Sequence, residues 1–221
     1  MKLLAVNGSP RKNRNTASLL TKVMEGAADS GCGTKLVHLS DLKFSGCLSC
    51  LACKIRGNKC GGLCALKDDL RPVLEETLAS DILVIGTPVY WHYPTSLVRA
   101  FMERLLFAPL DYANPGSSVL TKRIHCATIY TMHVMNDELF DGMDYARTLG
   151  TAAKSLEFLG PQETVYFRGM SVFPETGRYS VGPSFERYFD KIRKEELPEY
   201  GLRAYQLGQR LARAAAEPEN A

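Results

Sequence analysis

Asp81-Ile82-Leu83-Val84-Ile85-Gly86 is the segment that most restricts what this chain can become. Its apolar residues leave no polar face, so a strand built from them must be covered on both sides. A strand covered by helices on both faces belongs to a parallel sheet, whose successive strands are joined by helical crossovers. The flanking sequence supplies that alternation. Leu3-Leu4-Ala5-Val6 predicts a short strand running into the turn signal Asn7-Gly8-Ser9-Pro10, and Leu19, Leu20, Val23, Met24 and Ala27 then fall on one helical face ending near Gly31. Strands are expected again over residues 35–39, 123–130 and, more weakly, 164–168. Helices are expected from Leu70, Val73, Leu74 and Leu78, over 97–107, over roughly 138–159 and over 202–216.

Strands alternating with helices in this order fit an α/β, flavodoxin-like doubly wound five-stranded parallel sheet of order 2-1-3-4-5. Helices cover both faces, a C-terminal extension follows, and the ligand site lies beyond the carboxyl ends of the strands where the order reverses. Residues 1–221 read as a single domain with a Cys-rich insertion at 46–66 and an excursion at 169–200, and the last residues, 217–221, are expected to fray. With 45% hydrophobic and 23% charged residues the chain can bury a core, which excludes disorder. A net charge of +3 spread over it makes no field suited to nucleic acid. No apolar run approaches the roughly 20 residues that span a bilayer, and the first strand is too short for a signal sequence, so no membrane partner and a cytoplasmic location are expected. In a reducing compartment the seven cysteines read as thiols, ligands or redox groups rather than a disulfide scaffold.

The loop between the first strand and helix carries Ser9, Arg11, Asn15 and Thr16. Hydroxyl, amide and guanidinium groups just before a helix N-terminus make an anion site, although an ordinary capped helix with a solvated basic loop has the same composition. Neither G-x-G-x-x-G nor a Walker-type Gly-Lys-Ser/Thr is present. After the apolar strand, Gly86-Thr87-Pro88-Val89-Tyr90-Trp91-His92-Tyr93-Pro94 places aromatic rings beside backbone donors, an arrangement suited to a flat heterocycle.

At Gly8-Ser9-Pro10-Arg11 with Asn15-Thr16, and at Pro88-Val89-Tyr90 with Pro94, Leu97, Phe101 and Arg104, the sequence resembles the NAD(P)H-dependent FMN reductases of the flavodoxin-like superfamily. The resemblance covers residues 1–130, and the remainder only by element order. It implies FMN as cofactor, with its phosphate on Ser9, Arg11, Asn15, Thr16 and the Ala17 amide. Pro88, Val89, Tyr90 and Trp91 would border the isoalloxazine ring, and Thr131 and Met132 would close the site. His92 reads either as a hydrogen-bond or proton donor near the flavin or as a partly exposed loop residue. His38, His125 and His133 read as structural.

Cys47, Cys50 and Cys53 follow a Cys-x2-Cys-x2-Cys pattern, with Cys60 and Cys64 behind them. Three sulfurs on one small loop can hold three irons of a cubane, and a more distant fourth thiolate completes it. This spacing resembles the iron-sulfur flavoprotein branch of the same family, implying a 4Fe–4S cluster on Cys47, Cys50, Cys53 and Cys60, with the sulfurs converging near the isoalloxazine edge. Counting back from Asp68-Asp69 favours Cys64 instead, whereas Gly61-Gly62 after Cys60 permits a tight turn that would aim Cys60 inward. Free thiols lining a pocket and a four-thiolate zinc site are the competing readings. Cys32 and Cys126 are expected to be buried thiols.

The resemblance therefore implies an FMN-dependent oxidoreductase that passes electrons from NAD(P)H, its cosubstrate, to a quinone, flavin or other small-molecule acceptor. The flavin would carry the chemistry, so no side-chain nucleophile is expected. The alternative is an iron-sulfur flavoprotein carrier reduced by ferredoxin. The resemblance also implies a homodimer or homotetramer, with Phe173, Tyr179, Phe185, Tyr188 and Phe189 serving either that interface or a local satellite core.

Overall fold

The computed structural model describes residues 1–173 and 178–217, and it places the all-apolar segment at the centre of a parallel sheet. The strands are β1 (Lys2–Asn7), β2 (Gly33–His38), β3 (Ile82–Tyr90), β4 (His125–Thr131) and β5 (Gln162–Phe167), in the order 2-1-3-4-5. This is the flavodoxin-like order. Side chains alternate along β3, so Ile82 and Val84 enter one core while Leu83 and Ile85 enter the other. Burying each of these side chains stabilises the fold by roughly 1.5–3 kcal/mol.

On the first face, Leu19, Leu20, Val23 and Ala27 of α1 (Asn15–Ala28) share a core with Ala204, Leu207, Leu211 and Ala212 of α7 (Leu197–Ala216). The two helices touch through backbone. A Cβ on Gly26 would lie 2.0 Å from the Tyr205 carbonyl oxygen, and one on Gly208 would lie 2.0 Å from the Val23 carbonyl oxygen. On the second face, α2 (Leu70–Ala79) and α3 (Ser96–Phe107) supply Val73, Leu74, Val98, Phe101 and Leu105 against Leu4, Val6, Leu83 and Ile85.

Several boundaries differ from the expectation. β3 runs on to Tyr90, because Tyr93–Pro94 folds back on it in antiparallel register through a two-residue turn. The turn residues Trp91 and His92 have φ of 47° and 72°. The helix expected over 138–159 is broken into α4 (Asp137–Gly142) and α5 (Tyr145–Lys154), with Asp144 left-handed between them and a short turn of helix at Ser155–Phe158. The excursion is largely helical: α6 (Pro183–Lys191) passes through a wide turn at Ile192–Glu196 into α7, which starts at Leu197 with Pro198 in its first turn. Proline is tolerated there because the first-turn amides have no helical partner. Residues 174–177 of that excursion, and 218–221 of the tail expected to fray, lie outside the described residues. A small hairpin, Leu110–Asp111 with Ser117–Ser118, was not anticipated. Among the described residues no helix is long and apolar enough to cross a membrane.

At the amino-terminal edge of the sheet, Asp81 accepts hydrogen bonds from the Lys2 amide at 2.7 Å and pairs with Lys122 Nζ at 2.8 Å. Burial pushes the Asp81 carboxyl up, but the bonds from Lys122 and the Lys2 amide outweigh it and hold the group below its ordinary 3.8. Its stabilisation is therefore complete above that value and is lost as pH falls through the lower folded value. The difference in urea stability between wild type and Asp81→Asn should shrink as pH drops from about 5 to below about 3. An undiminished difference in acid would refute the linkage.

Candidate functional site

The order reversal between β1 and β3 opens a crevice at the carboxyl ends of the strands. Register brings the relevant loops to one rim: Asn7 lies beside Gly86, and Pro88 beside Thr131. The first loop is organised by its own side chains. The Ser9 amide donates to Asn7 Oδ1 at 2.9 Å, the Arg11 amide donates to Ser9 Oγ at 3.1 Å, and Thr95 Oγ1 donates to the Gly8 carbonyl at 2.8 Å. Arg14 is the extended residue before α1; no side chain caps that helix, and no acid stands in its first turn. The positive end of α1 thus faces the crevice.

A cavity of about 180 Å³ occupies this rim, lined by Ser9, Arg11, Asn15, Thr16, Pro88, Val89, Tyr90 and Thr131 among the expected residues. Thr16 and Thr131 join its two sides through a 2.8 Å hydroxyl–hydroxyl bond. Ala17 is buried in the first turn of α1 and does not line the cavity, and neither does Trp91, which is 90% exposed. Met132, expected to close the site, lines it too, as do Arg14, His133 and Ser171 to Phe173. Of these, Arg14 shares the basic loop, and His133 follows β4 at the same rim, so strand-end position could have flagged both. The 171–173 segment had no such signal. It covers the cleft through Arg11 Nη1, which donates to the Val172 carbonyl, and through Asn15 Nδ2, which donates to the Ser171 carbonyl at 3.1 Å.

An adjoining, predominantly apolar cleft of about 580 Å³ shares Val89, Met132 and His133 with the first and is further lined by Trp91, His92, Met135, Leu139, Met143, Tyr145 and Phe185. His92 Nδ1 lies 2.7 Å from Tyr145 Oη, with the rings stacked. The Trp91-His92 turn demands left-handed backbone at both positions, ordinarily met by Asn-Gly, and such strain costs roughly 1–3 kcal/mol per residue. Phe185 and Phe189 pack on His133, and Tyr188 Oη donates to the Met135 carbonyl at 2.7 Å, so part of the excursion forms a wall of the site. Burial lowers the His133 pKa, against an opposing contribution from the Met170 backbone, and so favours the neutral ring. Its buried Nδ1 has no hydrogen-bond partner among the described residues. An uncapped helix end beside arginines, an orphaned ring nitrogen and a continuous apolar cleft together fit an anionic tail joined to a flat ring.

All seven cysteines are free thiols. Cys47, Cys50, Cys53 and Cys64 line a second cavity beside Arg104 and Phe107, and Cys60 is not among its lining residues. The reason lies in Gly61 and Gly62, at φ of 56° and 82°. They form the expected tight turn, closed by a 2.9 Å bond from the Leu63 amide to the Cys60 carbonyl, but it drives Leu63 into the core and Cys64 onto the cavity. The void is about 20 Å³, close to the space of one water, and Cys47 and Cys50 stand exposed beside it. Ser49 and Leu51, between the three closely spaced cysteines, both have left-handed backbone, a conformation that clusters at ligand-holding loops. No three His, Cys, Asp or Glu side chains among the described residues are placed to hold a single metal ion. This cavity shares no lining residue with the phosphate-type cleft, so within one chain the sulfurs do not gather at that rim. Cys32 and Cys126 are buried, and burial pushes the Cys126 thiol up to about 12.

Residues 1–136 match the model of the family described as NADPH-dependent FMN reductase. Over 229 aligned positions the chain is 31% identical to an iron-sulfur flavoprotein of Archaeoglobus fulgidus, covering 100% of this chain and 98% of that protein. An iron-sulfur flavoprotein of Methanocaldococcus jannaschii is 29% identical over 104 residues, 47% of this chain and 51% of that one. Among solved structures, an NAD(P)H:quinone oxidoreductase from Methanothermobacter marburgensis superposes with a TM-score of 0.68 at 16% identity, covering 96% of this chain and 98% of that one. An azoreductase from Bacillus anthracis superposes with 0.64 at 13% identity, covering 95% and 99%. At those identities the likeness is one of fold.

Proposed function

The chain belongs to the NADPH-dependent FMN reductase family, and on that premise we propose that this flavin oxidoreductase takes electrons from NAD(P)H and passes them to a flat quinone- or flavin-like acceptor, with a 4Fe–4S cluster on the cysteine loop as a one-electron outlet. The observation that carries the reading is the convergence of the uncapped α1 terminus, the end of β3 and the loop after β4 on one cleft. Bound FMN would supply hydride acceptance and stepwise electron release.

The chain's residues then have separate tasks. Ser9, Arg11, Asn15 and Thr16, with the Ala17 amide, hold the phosphate at the helix end. Pro88, Val89 and Tyr90 form the ring's border, Thr131 braces Thr16 from the far side, and Trp91 stands at the mouth of the apolar cleft where a flat acceptor would enter. Cys47, Cys50 and Cys53 are the closely spaced ligands of the cluster. A cytoplasmic homodimer or homotetramer is part of this reading, supported by the exposed Trp91, Leu48, Leu51 and Ile55.

A second reading is favoured by the full-length similarity to an iron-sulfur flavoprotein: a carrier reduced by ferredoxin instead of nicotinamide. Anaerobic purification with a visible spectrum and flavin, iron and sulfide counts tests the cofactors. FMN with about four irons and four sulfides per chain is expected. Failure to retain flavin after incubation with FMN would overturn both readings. NAD(P)H oxidation coupled to a quinone, set against reduction by ferredoxin, then separates reductase from carrier.

A further inference from the structure

The loop between β1 and α1 is held from two sides. Gly8 is fixed toward β3, where its amide donates to the Gly86 carbonyl at 2.8 Å and its carbonyl accepts from Thr95 Oγ1. On the other side Asn7 reaches the edge strand β2, whose last residue, His38, lies beside it in register. Asn7 is fully buried, and both ends of its side-chain amide are committed. Its Oδ1 accepts from the Ser9 amide at 2.9 Å, so its Nδ2, 2.9 Å from His38 Nδ1, is the end that faces the ring. An amide nitrogen only donates; His38 Nδ1 must therefore accept, and the neutral ring carries its hydrogen on Nε2. The chain of bonds continues outward. The Arg11 amide can only donate, so Ser9 Oγ accepts from it at 3.1 Å and keeps its own hydrogen for another acceptor.

We propose that His38 positions the FMN phosphate loop: as the Nε2–H tautomer it accepts from Asn7 Nδ2, and Asn7 in turn fixes Ser9 with its hydroxyl hydrogen free for the phosphate. This rests on the FMN reading given above. Without an acceptor at that place the buried Asn7 Nδ2 is left unpaired, and it regains a partner only if the amide turns over or draws away, which gives up the bond to Ser9. The loop then spends part of its time in arrangements that do not hold phosphate, and the apparent affinity falls with the competent fraction. His38 is a positioning residue, since it lines neither the anion cleft nor the apolar one and acts only through Asn7.

The test uses full-length wild type, His38→Leu and His38→Asn, each titrated with FMN and with riboflavin by flavin fluorescence. His38→Leu should weaken FMN binding roughly 5–30-fold and leave riboflavin binding within about twofold, because riboflavin has no phosphate for the loop to hold. His38→Asn, whose Oδ1 takes the place of the ring Nδ1 as acceptor, should restore FMN binding to within about threefold of wild type. The tautomer is read in wild type itself, from side-chain ¹⁵N–¹H correlation spectra of the flavin-free protein in mildly alkaline buffer. There His38 should carry its hydrogen on Nε2 and none on Nδ1, its signal being the one of four that His38→Asn removes. A hydrogen on His38 Nδ1 would overturn the bond to Asn7. Unchanged FMN binding in His38→Leu, equal losses of FMN and riboflavin, or a His38→Asn as weak as His38→Leu would overturn the positioning role. A wild type that binds neither flavin would instead sink the FMN reading, and this inference with it.

Discussion

Gly208→Ala should lower the thermal midpoint by roughly 6–12 °C, the equivalent of about 3 kcal/mol in a chain of this size. The added methyl would sit 2.0 Å from the Val23 carbonyl oxygen and 2.9 Å from the Ala27 amide nitrogen. Neither obstacle is a side chain that can rotate away, so α7 must lift from α1 and break the packing of Leu207 and Leu211 against Leu20 and Val23. The comparison that isolates this cause is Gly201→Ala, in the same helix, where a Cβ would meet nothing within 4 Å. There the substitution should stabilise by about 0.4–1 kcal/mol, through the unfolded chain and helix propensity. Differential scanning calorimetry of both variants decides the matter; a similar shift in both would show that the helix crossing is not the reason.

Arg11→Ala should weaken FMN binding roughly 10–100-fold at low ionic strength, the range given by losing a charge-assisted hydrogen bond worth about 1.5–3 kcal/mol. Lys12→Ala is the matched control, because Lys12 is turned away into an ion pair with Asp41. Flavin fluorescence titration with FMN and with riboflavin separates the phosphate from the ring. The FMN affinity should fall while riboflavin binding stays within about twofold, since riboflavin has no phosphate to lose. Equal losses for both flavins would place Arg11 against the ring or in the fold, and an effect of Lys12→Ala as large as that of Arg11→Ala would reduce the site to a diffuse basic loop.

How much of this was legible in advance depends on whether the signal was local. Ile82 to Ile85 announce a doubly covered strand because both faces are apolar, and the two rim loops announce themselves by residue type. The extension of β3 to Tyr90 was not visible, because its hairpin uses Trp91-His92 where the usual signature is Asn-Gly. The apolar period runs on through 138–159, and nothing nearby marks the left-handed Asp144 that splits it. The last helix, expected over 202–216, already starts at Leu197, with Pro198 in its first turn. In the cysteine loop, the spacing and the Gly61-Gly62 turn favoured Cys60 over Cys64. That the turn puts Cys64 and not Cys60 on the cavity, with a guanidinium 40 residues away against its sulfur, was not visible there. The cover of the cleft was out of reach for the same reason, since its bonds join residues 156 and 161 positions apart.

The backbone crossing of α1 and α7 also sets the limits of a working fragment. The family match ends at residue 136, yet the inner face of the helix that presents its amino end to the cleft is buried against Ala204, Leu207 and Leu211. A piece cut at the boundary of the recognisable family segment would leave Leu20 and Val23 in water and would also lack β5 and the segment that covers the cleft. The segment that the family model matches and the unit that folds are therefore different lengths of the same chain, and the candidate cleft belongs to the longer one.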